Sequence, residues 1–198
     1  MLYAPTREGL DCRQDRESVY ENHLRKNYRS AYTFAYRLTG NASEAEDLVQ
    51  ETFLRAFRFF NRYDDRLPFS SWLYRIMANA HIDMVRRRGR IKTTPLEGNG
   101  PDGEGTWDLP DYEAAPDRVM LRGCLEEPVQ KGLLAMTPEF RTAVLLADVE
   151  GLAYDEVAAI MGTSVGTVRS RIHRGRKQLR HYLVKHAPKI YGGMAREL

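Results

Sequence analysis

Residues 154–180 read YDEVAAIMGTSVGTVRSRIHRGRKQLR and contain the clearest structural pattern of the chain. A short apolar segment is followed by Gly162, and the run after it, from Val165 to Arg180, is rich in arginine and contains no acid. Ser164 is a favoured residue for a helix N-cap. The stretch therefore predicts a short helix, a turn at Gly162 and a second helix, which is the layout of a helix-turn-helix.

The second of these helices has two chemically different sides when its residues are placed at about 100 degrees each. The first side is small or apolar and consists of Val165, Val168, Ile172, Gly175, Leu179 and Leu183. The opposite side is polar and cationic and consists of Arg169, Ser170, His173, Arg174 and Lys177. The apolar side is expected to pack on its own domain, and the cationic side can lie in a DNA major groove, where arginine reads guanine. The alternative is a solvated basic helix, which is the usual role of a charge run.

The composition fits a globular chain, with 42% apolar and 29% charged residues in 198 positions. The net charge is only +3, so a nucleic-acid partner has to be argued from where the charges lie. Residues 86–92 are basic, whereas residues 93–117 carry seven acids, four prolines and four glycines without a lysine or arginine. The acidic segment has the composition of a linker and divides the chain into two parts.

The residues that usually carry catalysis or metal binding do not form a known pattern. The two cysteines have no paired spacing, and the five histidines form no HExxH or similar motif. A signal peptide and an apolar stretch long enough for a membrane helix are both missing from the sequence. The chain is expected to be a cytoplasmic protein that is not an enzyme, binds no cofactor or metal and does not insert into a membrane.

Three helices are predicted before the linker. The first runs from Ser18 to about Leu38 and is closed by Gly40, and the second begins with a capping box of Ser43 and Glu46. One side of the second helix is predicted core: Ala45, Leu48, Val49, Thr52, Phe53, Ala56 and Phe60. The opposite side is predicted to face solvent: Asp47, Gln50, Glu51, Leu54 and Arg58. By itself this outward side is an ordinary solvated surface, with the exposed leucine a faint sign of a protein partner.

The third helix covers residues 70–89 and ends at Gly89. Its predicted buried stripe is Leu73, Ile76, Met77, Ala80 and Met84. Its aromatic residues are interleaved with arginines, a combination that suits the binding of unpaired bases. Burial of Trp72 and Tyr74 in the core is an equally good interpretation. Helical patterning resumes at Arg118 and predicts three more helices, so the fold class is all-α, with two small helical domains.

Three segments in this order resemble the extracytoplasmic function (ECF) sigma factors of bacterial RNA polymerase. They are AEDLVQETFLRAF, FSSWLYRIMANAHIDMVRRRGR and FRTAVLLADVEGLAYDEVAAIMGTSVGTVRSRIHRGRKQLR. The resemblance implies a sigma domain two over residues 16–90, a linker over 91–117 and a sigma domain four over 118–184. It also implies that the chain directs core RNA polymerase to stress-response promoters and assists promoter melting.

The resemblance assigns roles to three groups of residues. Those matching the surface for the clamp helices of the largest polymerase subunit are Asp47, Gln50, Glu51 and Leu54. Those matching the minus-ten element, where a flipped base is captured, are Tyr63, Phe69, Trp72, Arg75, Asn79, Arg86 and Arg87. Those matching the helix that reads the minus-thirty-five element are Arg169, Ser170, Arg171, His173, Arg174 and Lys177. An anti-sigma factor is a further partner expected from the resemblance, beside core RNA polymerase and promoter DNA.

Two other functions are compatible with parts of the sequence. A free-standing helix-turn-helix repressor or activator would bind duplex DNA tightly without polymerase. A nucleic-acid-modifying enzyme would need Glu51, His81 and Asp83 to converge in one cleft, although the helical phase turns Glu51 outward.

Overall fold

The computed structural model describes residues 7–92 and 125–193, with side chains described within 17–87 and 125–193. All of the regular structure in these ranges is helical, which confirms the all-α prediction. The helices are α1 (Arg7–Thr39), α2 (Ala42–Phe59), α3 (Phe69–Lys92), α4 (Glu127–Leu134), α5 (Pro138–Val144), α6 (Tyr154–Met161), α7 (Val165–His186) and α8 (Pro188–Tyr191). A 3₁₀ turn (Phe60–Arg62) follows α2, and a π-helical turn (Leu145–Val149) continues α5. The predicted linker lies outside the described residues, apart from its first two positions, which belong to α3.

The junction between α1 and α2 is sharp because of two adjacent residues. Gly40 has a φ of 72°, a left-handed conformation that glycine adopts without strain, and its N–H donates to the carbonyl of Tyr36 at 2.7 Å. The side chain of Asn41 accepts from the N–H of Glu44 at 3.1 Å and caps α2. The predicted capping box at Ser43 is therefore wrong, because Asn41, two residues earlier, already accepts from a backbone N–H group in the first turn of α2.

Two other helix boundaries differ from the prediction. Helix α1 begins at Arg7, well before Ser18, and α3 passes through Gly89 to Lys92. A glycine inside a helix costs only about 1 kcal/mol relative to alanine, which neighbouring helix-forming residues can offset. A proline stops a helix more firmly than a glycine does, and the first proline after α3 is Pro95.

Helices α1, α2 and α3 form the first helical unit around a shared apolar core. The predicted inner side of α2 is buried from Ala45 to Ala56, and only Phe60 is half-buried. Among the fully buried side chains are Tyr32, Phe34, Leu38, Val49, Leu73 and Met77. Each such side chain contributes roughly 1.5–3 kcal/mol by leaving water, so this core is the main source of the unit's stability.

Helices α4 to α7 form the second unit, in which α6 and α7 make the predicted helix-turn-helix. Gly162 has a φ of 59°, and the Ser164 hydroxyl accepts from the N–H of Thr167 at 3.1 Å. Helix α7 crosses α5 closely at Gly175, where an added Cβ would lie 2.6 Å from a methyl group of Val144. The small residue therefore permits the close packing that holds α7 in place.

The two units are in contact through side chains of the second unit that bind α1 and α3 of the first. The guanidinium of Arg141 donates to the carbonyl of Leu38 and also to those of Leu133, Leu134 and Met136. The carboxylate of Glu150 accepts from Arg37 at 2.7 Å and from the Tyr74 hydroxyl at 2.8 Å. Tyr74 is 6% exposed, so the core interpretation is the right one for this residue.

Candidate nucleic-acid interface

The sides of α7 are arranged as its periodicity predicts. Val168, Ile172, Gly175 and Leu183 are buried, and Val165 and Leu179 are half-buried. The residues on the opposite side are exposed: Arg169, Ser170, His173, Arg174 and Lys177. Arg171, the remaining member of the group predicted to read DNA, is half-buried. A row of cationic side chains thus projects from the second helix of a helix-turn-helix, where it can reach bases and phosphates.

Arg176 lies in the same helix, but its side chain is paired with an acidic residue of the same chain. Its guanidinium donates to both carboxylate oxygens of Asp148, at 2.9 and 2.5 Å. This hydrogen bonding raises the pKa of Arg176 further above its ordinary value. Its paired geometry makes Arg176 an anchor between α7 and the π-helical turn. The sequence offered no sign of this, since every arginine in the run has the same local surroundings.

A groove of about 670 Å³ lies beside the exposed side of α7, between this helix and α4 and α5. Its apolar wall includes Met136, Phe140 and Tyr182. Two of the predicted DNA-reading residues, Arg174 and Lys177, also line it. The groove combines an apolar surface with a cationic rim, and neither property was evident from the sequence.

The aromatic residues predicted at the minus-ten pocket form a compact cluster in the first unit. The ring centroids of Tyr63 and Trp72 are 5.2 Å apart, those of Tyr63 and Phe69 5.3 Å, and those of Phe69 and Trp72 5.5 Å. Phe69 is buried, whereas Tyr63 and Trp72 are half-buried and present parts of their surfaces to solvent. The cluster lies outside the α7 groove, in which none of these three residues takes part.

The loop between α2 and α3 is closed by one of these aromatic residues. The Tyr63 hydroxyl donates to the carbonyl of Leu67 at 2.7 Å. Burial, together with the carboxylates of Asp65 and Asp64, raises the pKa of Tyr63, so the hydroxyl keeps the proton that it donates. The loop from Tyr63 to Phe69 is thereby a short arc with an aromatic ring at each end.

The polar residues predicted to support an unpaired strand are distributed along α3. Arg75 and Asn79 are exposed one turn apart, on the same side of the helix as Trp72. Arg86 is exposed further along and lies 3.9 Å from Glu139 of the second unit. Arg87 instead lines a separate cavity of about 410 Å³ between α2 and α3. Arg75 and Asn79 therefore share the side of α3 that carries Trp72, whereas Arg87 lines a different cavity.

The outward side of α2 is exposed as predicted. Asp47, Gln50, Glu51 and Leu54 all face solvent, and Leu54 is 58% exposed. Arg55 lies 2.6 Å from Glu51 and 3.8 Å from Asp83, so it joins α2 to α3 beside this surface. Asp47 and Glu51 line the same cavity as Arg87.

The residues of the hypothetical enzyme do not converge. Glu51 and Asp83 line the α2–α3 cavity, whereas His81 is 2% exposed and does not line it. Within the described part of the chain, no group of three or more histidine, cysteine or acidic residues is arranged to hold a metal ion. In the same part, no helix is both long and apolar enough to cross a membrane.

Comparison with protein families gives two matches. The model for Sigma-70 region 2 matches residues 23–91, and the model for Sigma-70, region 4 matches residues 126–179. These ranges correspond to the first and second helical units. The region 2 match distinguishes the chain from a free-standing helix-turn-helix regulator, which has no need of such a domain.

Individual relatives agree with the family matches. The chain is 46% identical to the ECF RNA polymerase sigma factor SigE of Mycolicibacterium smegmatis over 83% of its own length and 61% of that relative. It is 34% identical to the ECF RNA polymerase sigma factor SigW of Bacillus subtilis over 77% of its length and 82% of that relative. The sigma factor RpoE of Bartonella quintana, solved in complex with the anti-sigma factor NepR, aligns with a TM-score of 0.61 at 26% identity, covering 83% of this chain and 96% of RpoE.

Proposed function

The chain belongs to the ECF sigma factors of RNA polymerase, and from this premise we propose that it directs core RNA polymerase to stress-response promoters. It would act as a transcription initiation factor without catalysis of its own, in the cytoplasm, where polymerase and promoter DNA are found. The observation that carries this proposal is the exposed cationic side of α7, presented by a capped helix-turn-helix whose other side is buried.

We propose that α7 reads the minus-thirty-five element. Arg169, His173 and Arg174 project from its exposed side, with Lys177 one turn further. A bidentate arginine contact to guanine discriminates against the wrong base by about 1–3 kcal/mol, and neighbouring cations add an attraction to phosphate that weakens with salt. Arg171 is half-buried, so its contribution is expected to be to the phosphate backbone or to packing.

For the minus-ten element, the proposed site is the aromatic cluster with Arg75 and Asn79. Half-exposed rings can stack on unpaired bases, and the amide of Asn79 can hydrogen-bond to a base edge. Arg75 and the exposed Arg86 would hold the phosphates of the strand. Extruding a base costs a few kcal/mol, which such contacts can offset.

The outward side of α2 is the proposed contact for the clamp helices of the largest polymerase subunit. It offers two carboxylates and an amide around Leu54. Leu54 is an exposed apolar side chain, and covering it with a partner would stabilise the complex. An anti-sigma factor is proposed as a second protein partner, supported by the complex of RpoE with NepR.

A mobility-shift assay with and without core polymerase tests the function. We expect weak and unspecific binding of promoter DNA by the chain alone, and specific binding together with run-off transcripts when core enzyme is present. Tight, specific binding of duplex DNA without core enzyme would contradict the proposal, because it is the behaviour of an independent repressor.

A further inference from the structure

The aromatic cluster has a member from α1 that the sequence did not single out. The imidazole of His23 stacks on the ring of Phe69, with centroids 4.5 Å apart and planes inclined by 23°. The centroid of the imidazole lies 5.7 Å from that of the Tyr63 ring and 6.0 Å from that of the Phe60 ring, and both pairs are arranged edge to face. His23 therefore contacts rings at both ends of the loop between residues 63 and 69.

The position of His23 is itself restrained. It lies in α1, and its backbone carbonyl accepts from the side-chain amide of Asn27 at 2.8 Å. Tyr20 lies one turn earlier in α1, and its ring centroid is 5.2 Å from that of Phe60. The Tyr20 hydroxyl donates a hydrogen bond to the carbonyl of Phe53. The middle of α1 is thus attached to α2, and the His23 ring is carried by a rigid element.

From this geometry we propose that His23 is a positioning residue for base capture: its ring, stacked on Phe69 and against Tyr63, holds the loop from Tyr63 to Phe69 in the orientation that receives an unpaired base. The inference rests on the proposed minus-ten function of Tyr63, Phe69 and Trp72. His23 acts through these rings, and its half-buried side chain need not touch the DNA.

The physical reason lies in the entropy of the loop. A loop held only through its backbone samples many orientations. Each ring that is fixed before DNA binds reduces the conformational entropy that the loop loses on binding. Aromatic pairs at these centroid distances contribute beyond the area that they bury, and their geometry is directional. A flat ring at position 23 restrains Phe69 and Tyr63, whereas an aliphatic side chain of similar size fills space without fixing their planes.

The experiment compares three substitutions at this position in holoenzyme reconstituted from the full chain and core polymerase. The probe is a fork-junction DNA fragment, duplex through the minus-thirty-five element and single-stranded over the minus-ten element, taken from a promoter found by run-off transcription. We expect His23→Ala and His23→Leu to weaken binding of this fragment roughly threefold to tenfold, and His23→Phe to keep it, because only phenylalanine restores a stacking ring. The core-binding affinity and the thermal midpoint of the leucine variant should stay near those of the unaltered chain.

Two reference variants make the result interpretable. Trp72→Ala tests the aromatic cluster itself. Tyr28→Ala removes another stacked ring of α1, whose centroid lies 6.2 Å from that of Phe53, and it should leave fork-junction binding unchanged. If Trp72→Ala weakens binding and His23→Ala does not, the inference about His23 is overturned alone. If neither substitution has an effect, the proposed minus-ten function fails. Equal rescue by leucine and phenylalanine would also overturn the inference, since it would reduce His23 to a space-filling residue.

Discussion

The hydroxyl of Tyr74 in α3 donates a hydrogen bond of 2.8 Å to the carboxylate of Glu150, which follows the π-helical turn of the second unit. Burial and the charge of Glu150 raise the pKa of Tyr74, so the hydroxyl remains a donor throughout the neutral range. The same carboxylate binds Arg37, and both members of this ion pair have largely buried side chains, with 13% and 15% exposed. One acid thus connects two helices of the first unit to the second.

We expect Glu150→Gln to lower the free energy of unfolding by about 1–3 kcal/mol, because it removes the carboxylate charge that Arg37 and Tyr74 bind in a poorly solvated place. Denaturant unfolding followed by circular dichroism measures this. The matched control is Glu46→Gln, which removes one carboxylate from the exposed surface of α2 and should change the stability by less than about 0.5 kcal/mol. Equal effects of the two substitutions would show that the contact between units adds nothing.

Arg174→Ala is expected to reduce transcription most at promoters with an intact minus-thirty-five element, by about tenfold or more if the arginine reads a guanine. Run-off transcription on paired promoters, with and without that element, provides the measurement. Lys189→Ala in α8 is the control, since it removes an exposed cation outside the helix-turn-helix. An equal loss at both promoters would assign Arg174 to unspecific phosphate binding.

Asn79→Ala should impair opening of the minus-ten region without weakening the binding of core polymerase. The reason is that Asn79 is exposed on the side of α3 that carries Trp72, and it does not line the cavity that Asp47 and Glu51 of α2 share with α3. Permanganate reactivity of unpaired thymines reports on opening, and co-purification with core enzyme reports on binding. Normal reactivity in the variant would remove Asn79 from the proposed pocket.

Tyr20 predicts a pH dependence of stability. Burial raises its pKa from 10.0 to about 12, and its hydroxyl donates to the carbonyl of Phe53 at 2.6 Å. In the unfolded chain Tyr20 loses its proton near pH 10, whereas the folded chain keeps it, so this contribution to stability is complete below pH 10 and is lost as the pH rises towards 12. We therefore expect Tyr20→Phe to be less stable than the unaltered chain at neutral pH, by about 1 kcal/mol for a lost hydrogen bond.

Denaturant unfolding of both proteins across this range tests the sign. The difference in stability between them should shrink as the pH rises above 10. A difference that stays constant up to pH 12 would mean that the Tyr20 hydroxyl titrates alike in the folded and unfolded chains.

Features that depend on local periodicity and local turn chemistry could be predicted from the amino-acid sequence. The two sides of α2 and of α7 follow from residue spacing, and the turn between α6 and α7 follows from Gly162 and Ser164, because each of these is governed by residues within a few positions. The capping of α2 shows the limit of such reasoning, since Asn41 and Ser43 are both good caps and only the folded chain selects between them.

Contacts between side chains that are distant in the sequence could be seen only in the folded chain. Arg176 binds Asp148, Tyr74 binds Glu150, and His23 stacks on Phe69, and each pair joins helices whose relative placement no local pattern encodes. The same holds for Gly175. The sequence shows only that this residue is small, whereas in the fold it lies where α7 crosses α5 beside Val144. Periodicity specifies which side of a helix is buried, whereas its contacts depend on how all the buried sides pack together at once.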